Sequence, residues 1–546
     1  MTPSTDLLAP TGVHDYRPGG GTVAPPTEAT VVAALLRTAR QTPSRSYLTW
    51  CPADGATRIL TYGELERRSR RLAAFLVTTL RPGSTVALLP GNDIPSVIAV
   101  FGALRAGMPC LFLNPADPVA RLRTLLDAHP VAAVLCSPYA PPHARDFARG
   151  TAGDRAGLIL GDDEPVSADN SEAPDILPGD GPVPAERPAF LFGTSGSTAA
   201  SKLVVQPHRA VTSNAEAVRR QHRLDDRTVL MGGLPLHHVN GVHFTLMAPA
   251  ATGAHVVLPQ EFSLFTYRSF LDAHRPHLAS LVPPVLEMLL ASGRDWRPPK
   301  NLRYFVSAAA PLSRSLLRRT VETFGVRVLQ GYGLSETTNF STTVPSDISD
   351  ETYRAVALDA EIPSVGVALH GNEIEVFAPD GTVLGERCTG ELRMRGHNVM
   401  AGYAGRPDLT AEAFTGGWFH SGDIGYWATG SDGRRYFYLT GRDKNMAKVR
   451  GESVSLEEVE RALVSLDGVT DAACLAVPHS AWGEQLVAVV AAPEADLPGI
   501  RTALAGLVPT VAVPGRWHSV ERVPRSATGK LLRPVLVERY AAEAER

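Results

Sequence analysis

The sequence has little cysteine, no excess of either charge and no long uninterrupted apolar run. Its five cysteines, none in a CxxC pair, argue against a disulfide framework or a zinc site and favour a reducing, cytoplasmic location. The formal net charge is −3, so nothing indicates nucleic acid or an anionic membrane surface as a partner. The most apolar stretch, residues 94–113, is broken by Arg105, Gly107 and Pro109, so no membrane span is expected. The N-terminus also lacks the basic and apolar segments of a signal peptide.

What the sequence does have is length and a regular alternation of strand-like and helical patterns. At 546 residues and 44% apolar content, the chain should form two or more domains with sizeable cores. Strand-like and helical patterns alternate after residue 60, which predicts an α/β fold with parallel or mixed sheets flanked by helices. A polar break at residues 441–444 precedes a second pattern of strands and helices. We therefore predict a loose arm over residues 1–28, a large domain over 29–443 and a small α+β domain over 444–546.

The segment from Phe190 to Val205 is the strongest candidate for an anion site. A short apolar run leads into Gly193 and five small, mostly hydroxylated residues, and Lys202 follows. Small residues let the backbone approach a phosphate closely and supply N–H and O–H donors. The glycine spacing excludes a Walker loop. A flexible surface loop is the alternative interpretation of this segment taken alone.

Further candidate site residues follow predicted strands. His238, Ala310, Tyr332 and Glu336 each come after a strand, and ligands of open α/β sheets bind outside the carboxyl ends of strands. His237 and His238 lie side by side on a segment expected to be extended, so they should point to opposite sides and not share a metal. A purely structural histidine is the alternative for each. Further along the chain, Asp423 lies in a tight SGDIG turn.

Lys530 follows a glycine turn near the end of the chain. An anion-binding role and simple solvation are both open for a lysine on such a loop.

Taken in order, these segments resemble the ATP-dependent adenylate-forming superfamily, which comprises acyl- and aryl-CoA synthetases, adenylation domains and luciferase. The matching segments run from about residue 60 to 533: LTYGELERRSRRLAAFL, LRAGMPCLFLNP, FLFGTSGSTAASK, LPLHHVNG, SAAAPLS, GYGLSE, GELRMRGHNVMAGY, GWFHSGDIG, GRDKNMAKVRGESVSLEEVE and PRSATGK. Each is weak alone, but the ordered set is specific.

The resemblance implies a role for each matching residue. The phosphates of ATP would be held by Thr194, Ser195, Gly196, Ser197, Thr198 and Lys202, with Ser335 at the α-phosphate and Glu336 holding Mg²⁺. Adenine would be bracketed by Ala309, Ala310, Pro311, Gly331, Tyr332 and Gly333, and the ribose held by Asp423 and Arg442. Lys530 would contact the acid and the α-phosphate, His238 would gate the thiol tunnel, Lys444 would be the hinge and Gly451 would line the pantetheine channel. The family also implies a mobile C-terminal domain that alternates between two reactions.

The chain departs from the family at the phosphate loop. The usual Gly-x-Pro-Lys-Gly continuation is Ala199, Ala200, Ser201, Lys202 and Leu203 here, which puts the mobility of the loop in doubt. Ala308 occupies a position that is often glycine and could narrow the floor of the pocket. Ser335 replaces the commoner threonine but keeps the hydroxyl.

The predicted function is ATP-dependent activation of a carboxylic acid, followed by thioester formation with coenzyme A. LPLHHVNGV contains no acidic residue to bind an α-amino group, which favours a fatty or aryl acid over an amino acid. The predicted pocket (residues 237–243, 281–286, 306–309 and 331–338) has no charged anchor, so the acyl tail should be apolar or aromatic.

Three alternatives remain open from the sequence. The adenylate could be loaded onto the phosphopantetheine of a carrier protein, acting in trans since no carrier domain follows Arg546. It could pass to a non-thiol acceptor. The chain could also be a non-catalytic scaffold, although Glu336, Asp423 and Lys530 together argue against that.

Overall fold

The computed structural model describes residues 30–52, 56–151, 156–161, 177–193, 202–261, 264–291, 296–449, 452–479, 483–492, 497–526 and 529–541. The predicted arm over residues 1–28 lies outside these ranges. In chain order the strands are β1 (Ser46–Cys51), β2 (Arg58–Thr61), β3 (Val86–Leu89), β4 (Cys110–Phe112), β5 (Ala133–Cys136), β6 (Ala156–Ile159), β7 (Pro188–Gly193), β8 (Leu203–Pro207), β9 (Val229–Met231), β10 (His255–Pro259), β11 (Leu278–Leu281), β12 (Tyr304–Ser307), β13 (Arg327–Tyr332), β14 (Thr342–Thr343), β15 (Val367–Ala368), β16 (Asn372–Phe377), β17 (Gly390–Gly396), β18 (Gly402–Tyr403), β19 (Phe419–Thr429), β20 (Arg435–Arg442), β21 (Met446–Val449), β22 (Glu452–Ser455), β23 (Asp471–His479), β24 (Gly483–Ala491) and β25 (Arg516–Val520).

The helices differ widely in length along the chain. They are α1 (Val31–Gln41), α2 (Tyr62–Thr79), α3 (Ile94–Arg105), α4 (Val119–Ala128), α5 (Pro142–Arg149), α6 (His208–His222), α7 (Val239–Val242), α8 (Ala248–Thr252), α9 (Leu264–His274), α10 (Pro283–Ala291), α11 (Arg314–Phe324), α12 (Asp350–Tyr353), α13 (Pro407–Ala413), α14 (Leu456–Val464), α15 (Leu497–Ala505) and α16 (Arg533–Ala541). A π-helical turn, His243–Met247, joins α7 to α8.

Helix α2 illustrates how the sequence sets an element. Thr61 accepts a hydrogen bond from the Glu64 amide at 3.1 Å, and Glu64 accepts one from the Thr61 amide at 2.8 Å, so the two residues form a capping box at the start of the helix. Leu65, Leu72 and Leu76 lie on the buried face behind it. Helix α3, which is buried along its whole length, packs against α2 in the main core. The apolar stretch that begins at residue 94 therefore starts with a helix buried in the core of the protein.

Among the described residues the strands form four sheets. One has the order β15-β14-β13-β12-β11-β9-β10-β1-β2, a second has β18-β8-β7-β4-β3-β5-β6, and a third is the antiparallel β16-β17-β19-β20. The first two are mainly parallel and share the main core with α2 and α3 between them. The α/β fold class predicted from the sequence is confirmed.

The fourth sheet, β22-β21-β24-β23 with β25 beside β24, belongs to the smaller C-terminal unit. It packs against α14, α15 and α16 around cores of its own. The Ser455 hydroxyl caps α14 by accepting a hydrogen bond from the Glu458 amide at 3.3 Å. No helix in the described ranges is long and apolar enough to cross a lipid bilayer.

Candidate active site

The candidate site lies at the carboxyl ends of adjacent parallel strands. Strands β9, β11, β12 and β13 run side by side, and His238, Ala310 and Glu336 lie on the loops that follow β9, β12 and β13. Glu336, His238 and Lys530 keep solvent access although protein atoms crowd them on most sides. That combination places them in a cleft, neither in the core nor on a convex surface.

Asp423 is the anchor of one side of this cleft. It is only 3% exposed and lies directly opposite Arg442 in the antiparallel pair β19–β20. The Tyr332 hydroxyl donates to Asp423 Oδ2 at 2.6 Å and Arg442 Nε donates to Oδ1 at 2.7 Å. Burial raises the pKa of Tyr332 well above its usual value, so the phenol stays a donor. Each carboxylate oxygen keeps a lone pair for a further donor, such as a sugar hydroxyl.

Glu336 lies in a second, partly paired group. The Tyr403 hydroxyl donates to Glu336 Oε1 at 3.0 Å, and the Lys202 ammonium lies 4.8 Å from the centre of the Tyr403 ring. Burial raises the pKa of Glu336, while the Tyr403 hydrogen bond and the charges of Arg442 and Lys202 oppose that shift. One carboxylate fits Mg²⁺, which is commonly held by one or two carboxylates together with substrate phosphates.

The backbone turn that carries Glu336 is held by hydrogen bonds from a buried side chain, Gln206. Gln206 Nε2 donates to the Ser335 carbonyl at 2.9 Å and to the Thr338 carbonyl at 3.2 Å, and the Gln206 amide oxygen lies 2.7 Å from His243 Nε2. Thr338 has φ +69°, an unfavourable conformation for a β-branched residue. A strained turn held by a buried network is typical of functional sites.

Lys530 reaches the cleft from the C-terminal unit on a tight turn. The preceding Gly529 has φ +83°, and a Cβ there would lie 2.8 Å from Pro284 Cγ of the large domain, so glycine is required by conformation and by contact. The pKa of Lys530 is lowered by burial and by Arg442, while Asp423 and Glu336 oppose the shift. The lysine therefore lies in the electrostatic field of both carboxylates.

Lys444 belongs to the 3₁₀ turn Asp443–Asn445, where the chain leaves β20 for the C-terminal sheet. Burial and the neighbouring Arg442 lower the pKa of Lys444. Across the same junction, Arg461 of α14 donates to the Thr440 carbonyl at 2.8 Å.

The two adjacent histidines do not point apart as the sequence predicted. The His237 and His238 ring centres are 4.3 Å apart. The chain turns here, with the His238 amide bonded to the Pro235 carbonyl and helix α7 beginning at Val239, so the alternation of an extended strand does not apply. Burial lowers the pKa of His237 to about 3 and, with help from Lys530, that of His238 to about 4. Both rings are therefore neutral at pH 7.

Ala309, Ala310 and Pro311 lie at the rim of the cleft, directly after β12, and none of them is buried. Ala309 has φ +69°, in the left-handed region that favours glycine. On the neighbouring strand, Gly331 and Gly333 leave room for the returning chain, because a Cβ on Gly333 would lie 1.6 Å from the Asn339 carbonyl oxygen.

Part of the predicted site lies outside the described residues: Thr194, Ser195, Gly196, Ser197, Thr198 and Gly451, together with Ala199, Ala200 and Ser201. The flanks of the phosphate loop are described. Strands β7 and β8 pair antiparallel up to Gly193 and Leu203, so the loop joins the two strands of a hairpin whose end carries Lys202. Leu203 is 4% exposed and packs in a core cluster.

Sequence reasoning missed Tyr403 and Asn339. Tyr403 ends the segment GELRMRGHNVMAGY, which matches the family, but the resemblance assigned no role to this tyrosine. Asn339 lies one residue beyond the predicted pocket window, and nothing in the local sequence marks it.

Comparison with known proteins matches most of the chain to one enzyme family. The AMP-binding enzyme family matches residues 35–404, and the AMP-binding enzyme C-terminal domain matches residues 458–530. A feruloyl-CoA synthase from Amycolatopsis sp. is 31% identical over 492 residues, covering 88% of this chain and 94% of the relative. A sulfoacetate–CoA ligase from Cupriavidus necator is 29% identical, covering 92% and 96%. Among solved structures, ATP-bound MatB from Rhodopseudomonas palustris has a TM-score of 0.82 at 25% identity, covering 94% of this chain and 100% of that one.

The chain belongs to the AMP-binding enzyme family. This is the adenylate-forming superfamily that the ordered motifs predicted, and that prediction is confirmed.

Proposed function

We propose that this protein is an AMP-forming acid–thiol ligase that activates a carboxylic acid with ATP and transfers the acyl group to coenzyme A. The observation that carries the proposal is the convergence of Asp423, Glu336 and Lys530 in one cleft between the two units. The named relatives, a feruloyl-CoA synthase and a sulfoacetate–CoA ligase, support the reaction type.

In the first step a carboxylate oxygen of the acid attacks the α-phosphorus of ATP. An acyl–phosphate anhydride bond forms, and the bond to the bridging oxygen breaks as pyrophosphate leaves with its electron pair. Two anions must approach each other, so a cation at the point of attack lowers the barrier. Lys530 fits this role because it lies in the field of both carboxylates and reaches the cleft on a docked turn.

The other residues would bind and orient ATP. Asp423, held by Tyr332 and Arg442, would accept hydrogen bonds from the ribose hydroxyls, and Ala309, Ala310 and Pro311 would line the adenine. Ser335 would meet the α-phosphate, with Lys202 and the preceding loop at the outer phosphates. Glu336 would hold Mg²⁺, which would neutralise phosphate charge.

In the second step the thiol sulfur attacks the acyl carbonyl carbon. A C–S bond forms, AMP leaves with the electrons of the C–O bond, and the thiol proton passes to solvent. We infer that the C-terminal unit, residues 444–546, rotates about Lys444 relative to residues 29–443. That motion would withdraw Lys530 and admit the thiol past His238, with Gly451 at the channel. A carrier-protein phosphopantetheine is the alternative acceptor, and the cytoplasm is the proposed location.

The test separates the two steps. ATP–pyrophosphate exchange over a panel of acids reports adenylation, and adding coenzyme A or a pantetheinylated carrier identifies the acceptor by mass spectrometry of the thioester. Exchange with at least one acid and an acyl-CoA product are expected. No exchange with any acid would refute the proposal.

A further inference from the structure

Four polar side chains are buried together beside the candidate active site. They lie on α7, on the π-helical turn, on β11 and in the loop after β13, and they are Asn240, Thr245, Ser280 and Asn339, here called the polar cluster. Each is at most 5% exposed. The Ser280 hydroxyl donates to Asn240 Oδ1 at 3.3 Å, and Asn240 Nδ2 donates to Asn339 Oδ1 at 3.3 Å. Thr245 lies next to them across the two glycines that follow β9. A Cβ on Gly232 would lie 2.5 Å from the Thr245 methyl group, and a Cβ on Gly233 would lie 2.5 Å from the Ser280 carbonyl oxygen.

The cluster belongs to the same end of the sheet as the site. Asn240 is two residues beyond His238 and Asn339 is three residues beyond Glu336. Ser280 lies on β11, between β9 and β12, the strands whose loops carry His238 and Ala310. The cluster therefore lies at the same end of the sheet as the candidate site, and in the proposed reaction the chain of the acid would extend towards it once its carboxylate met Lys530.

Two atoms of the polar cluster lack a hydrogen-bond partner among the described residues. They are Asn339 Nδ2, a donor, and Thr245 Oγ1. Buried polar groups in native proteins are nearly always paired, so each of these two atoms needs a partner that the described residues do not supply. The hydrogen bonds within the cluster leave an N–H of Asn339 as the free donor, which needs an acceptor.

The cluster carries no charge. Within the described ranges no lysine or arginine forms an ion pair or hydrogen bond with its four members, and the nearby His237 and His238 are neutral for the reasons given above. An anionic tail would be left without a counter-ion there, which is costly in a buried site. A neutral oxygen meets the need at no such cost.

We propose that the acid carries a neutral hydroxyl or carbonyl oxygen on its acyl chain, and that Asn339 donates a hydrogen bond to it within the polar cluster. This rests on the proposed function and narrows it. It replaces the purely apolar tail expected from the sequence, and it suits hydroxylated or oxo-substituted acids on either an aliphatic or an aryl frame.

The experiment compares matched acids in ATP–pyrophosphate exchange: 3-hydroxybutyrate with butyrate, 4-oxopentanoate with pentanoate, and 4-hydroxycinnamate with cinnamate, plus succinate as a charged tail. In at least one pair the oxygenated acid should have a kcat/KM about 10- to 100-fold higher, the range set by leaving a buried donor unpaired. The oxo acid accepts but cannot donate, so its rejection alongside acceptance of hydroxy acids would overturn the direction of the hydrogen bond.

Variants assign the preference to the cluster. Asn339→Leu keeps the branched outline of the side chain but removes its polar atoms, and it should bring the ratio within a pair close to one, with the KM for ATP unchanged. Ser341→Ala, which removes a buried hydroxyl two residues away, is the matched control and should leave the ratio intact. Thr245→Val serves the same purpose as Asn339→Leu if the latter fails to fold, and should reduce the ratio several-fold.

The outcomes are distinguishable. Exchange with the unsubstituted acids alone, a preference for succinate, or an unchanged ratio in both cluster variants would overturn this inference and leave the proposed function standing. An absence of exchange with every acid would overturn both.

Discussion

The two sides of the candidate cleft differ in how far their polar side chains are hydrogen-bonded within the protein. On the side that we propose binds ATP, here called the nucleotide side, Asp423 is held by Tyr332 and Arg442, and Glu336 by Tyr403. On the side that we propose binds the acid, here called the acid side, Asn339 and Thr245 are buried but keep unpaired polar atoms in the part of the chain that the structure describes. A site for a constant ligand can be preorganised by internal pairing. Selectivity for a particular acid instead needs groups that stay unpaired until that acid binds.

The most damaging change to the nucleotide side should be Lys530→Ala. Removing one well-placed cation from a charge-developing step typically lowers its rate by about 10²–10³. We expect this loss in ATP–pyrophosphate exchange. Lys300→Ala, at an exposed lysine, is the control and should exchange like the unmodified protein. Full exchange by the Lys530 variant would remove the lysine from the mechanism.

Next in size is Asp423→Asn, which keeps the shape but leaves Arg442 without its anion and sets an amide against the Tyr332 hydroxyl. Loss of a buried, charged hydrogen-bond partner costs about 2–3 kcal/mol, equivalent to roughly 30- to 150-fold in the KM for ATP. The KM for the acid should change little. Asp359→Asn removes a carboxylate from an exposed ion pair with Arg318 and should cost less than about 1 kcal/mol of stability. Equal effects on both KM values would mean that Asp423 does not belong to the nucleotide side alone.

The same contrast explains which parts of the fold and of the candidate site could be predicted from the sequence. Residues such as Asp423 and Lys530 lie in glycine-containing motifs. The order of these motifs along the chain was enough to predict the family and the fold. The acid side had no such signal. Ser280 and Asn339 occupy ordinary strand and loop positions, and only the folded sheet brings them to Asn240.

The histidine prediction failed for a related reason. Whether His237 and His238 point apart or together depends on a turn set by the Pro235 carbonyl and the start of α7. Local composition does not encode that turn. Conversely, the Thr61–Glu64 box was predictable because both partners lie within one turn of helix.

A further expectation concerns pH. Burial lowers the pKa of His208 to about 4 and that of His222 to about 3, at the two ends of α6, and it lowers the pKa of His243, in the π-helical turn after α7, to about 3. The unfolded chain binds protons at these histidines below about pH 6.5, while the folded state does not. Stability should therefore fall as pH drops from 6.5 towards 4, by up to about 1.4 kcal/mol per pH unit for each histidine.

Urea midpoints, followed by tryptophan fluorescence at pH 7, 6 and 5, measure this slope. In His222→Leu the fall of stability with decreasing pH should be less steep, by the contribution of one histidine. His143→Leu, at an exposed position, should leave this slope unchanged. A slope that is the same in all three proteins would show that these buried histidines do not control acid sensitivity.

The smallest expected effect tests the backbone of the nucleotide side. Ala309 has φ +69°, which costs an alanine about 1–2 kcal/mol, whereas its neighbour Ala308 is 5% exposed and has no positive φ. Ala309→Gly should stabilise the protein by about 0.5–1 kcal/mol, because the relieved strain exceeds the greater freedom that glycine gives the unfolded chain. Ala308→Gly should destabilise it by about 1 kcal/mol, since the same change there relieves nothing. Thermal unfolding of the two variants measures the difference, and a loss of stability in both would mean that the chain pays no conformational cost at Ala309. Opposite signs would show that the turn after β12, which we propose lines the adenine, is held in its shape by the surrounding fold, as expected for a side of the cleft that is organised before its ligand arrives.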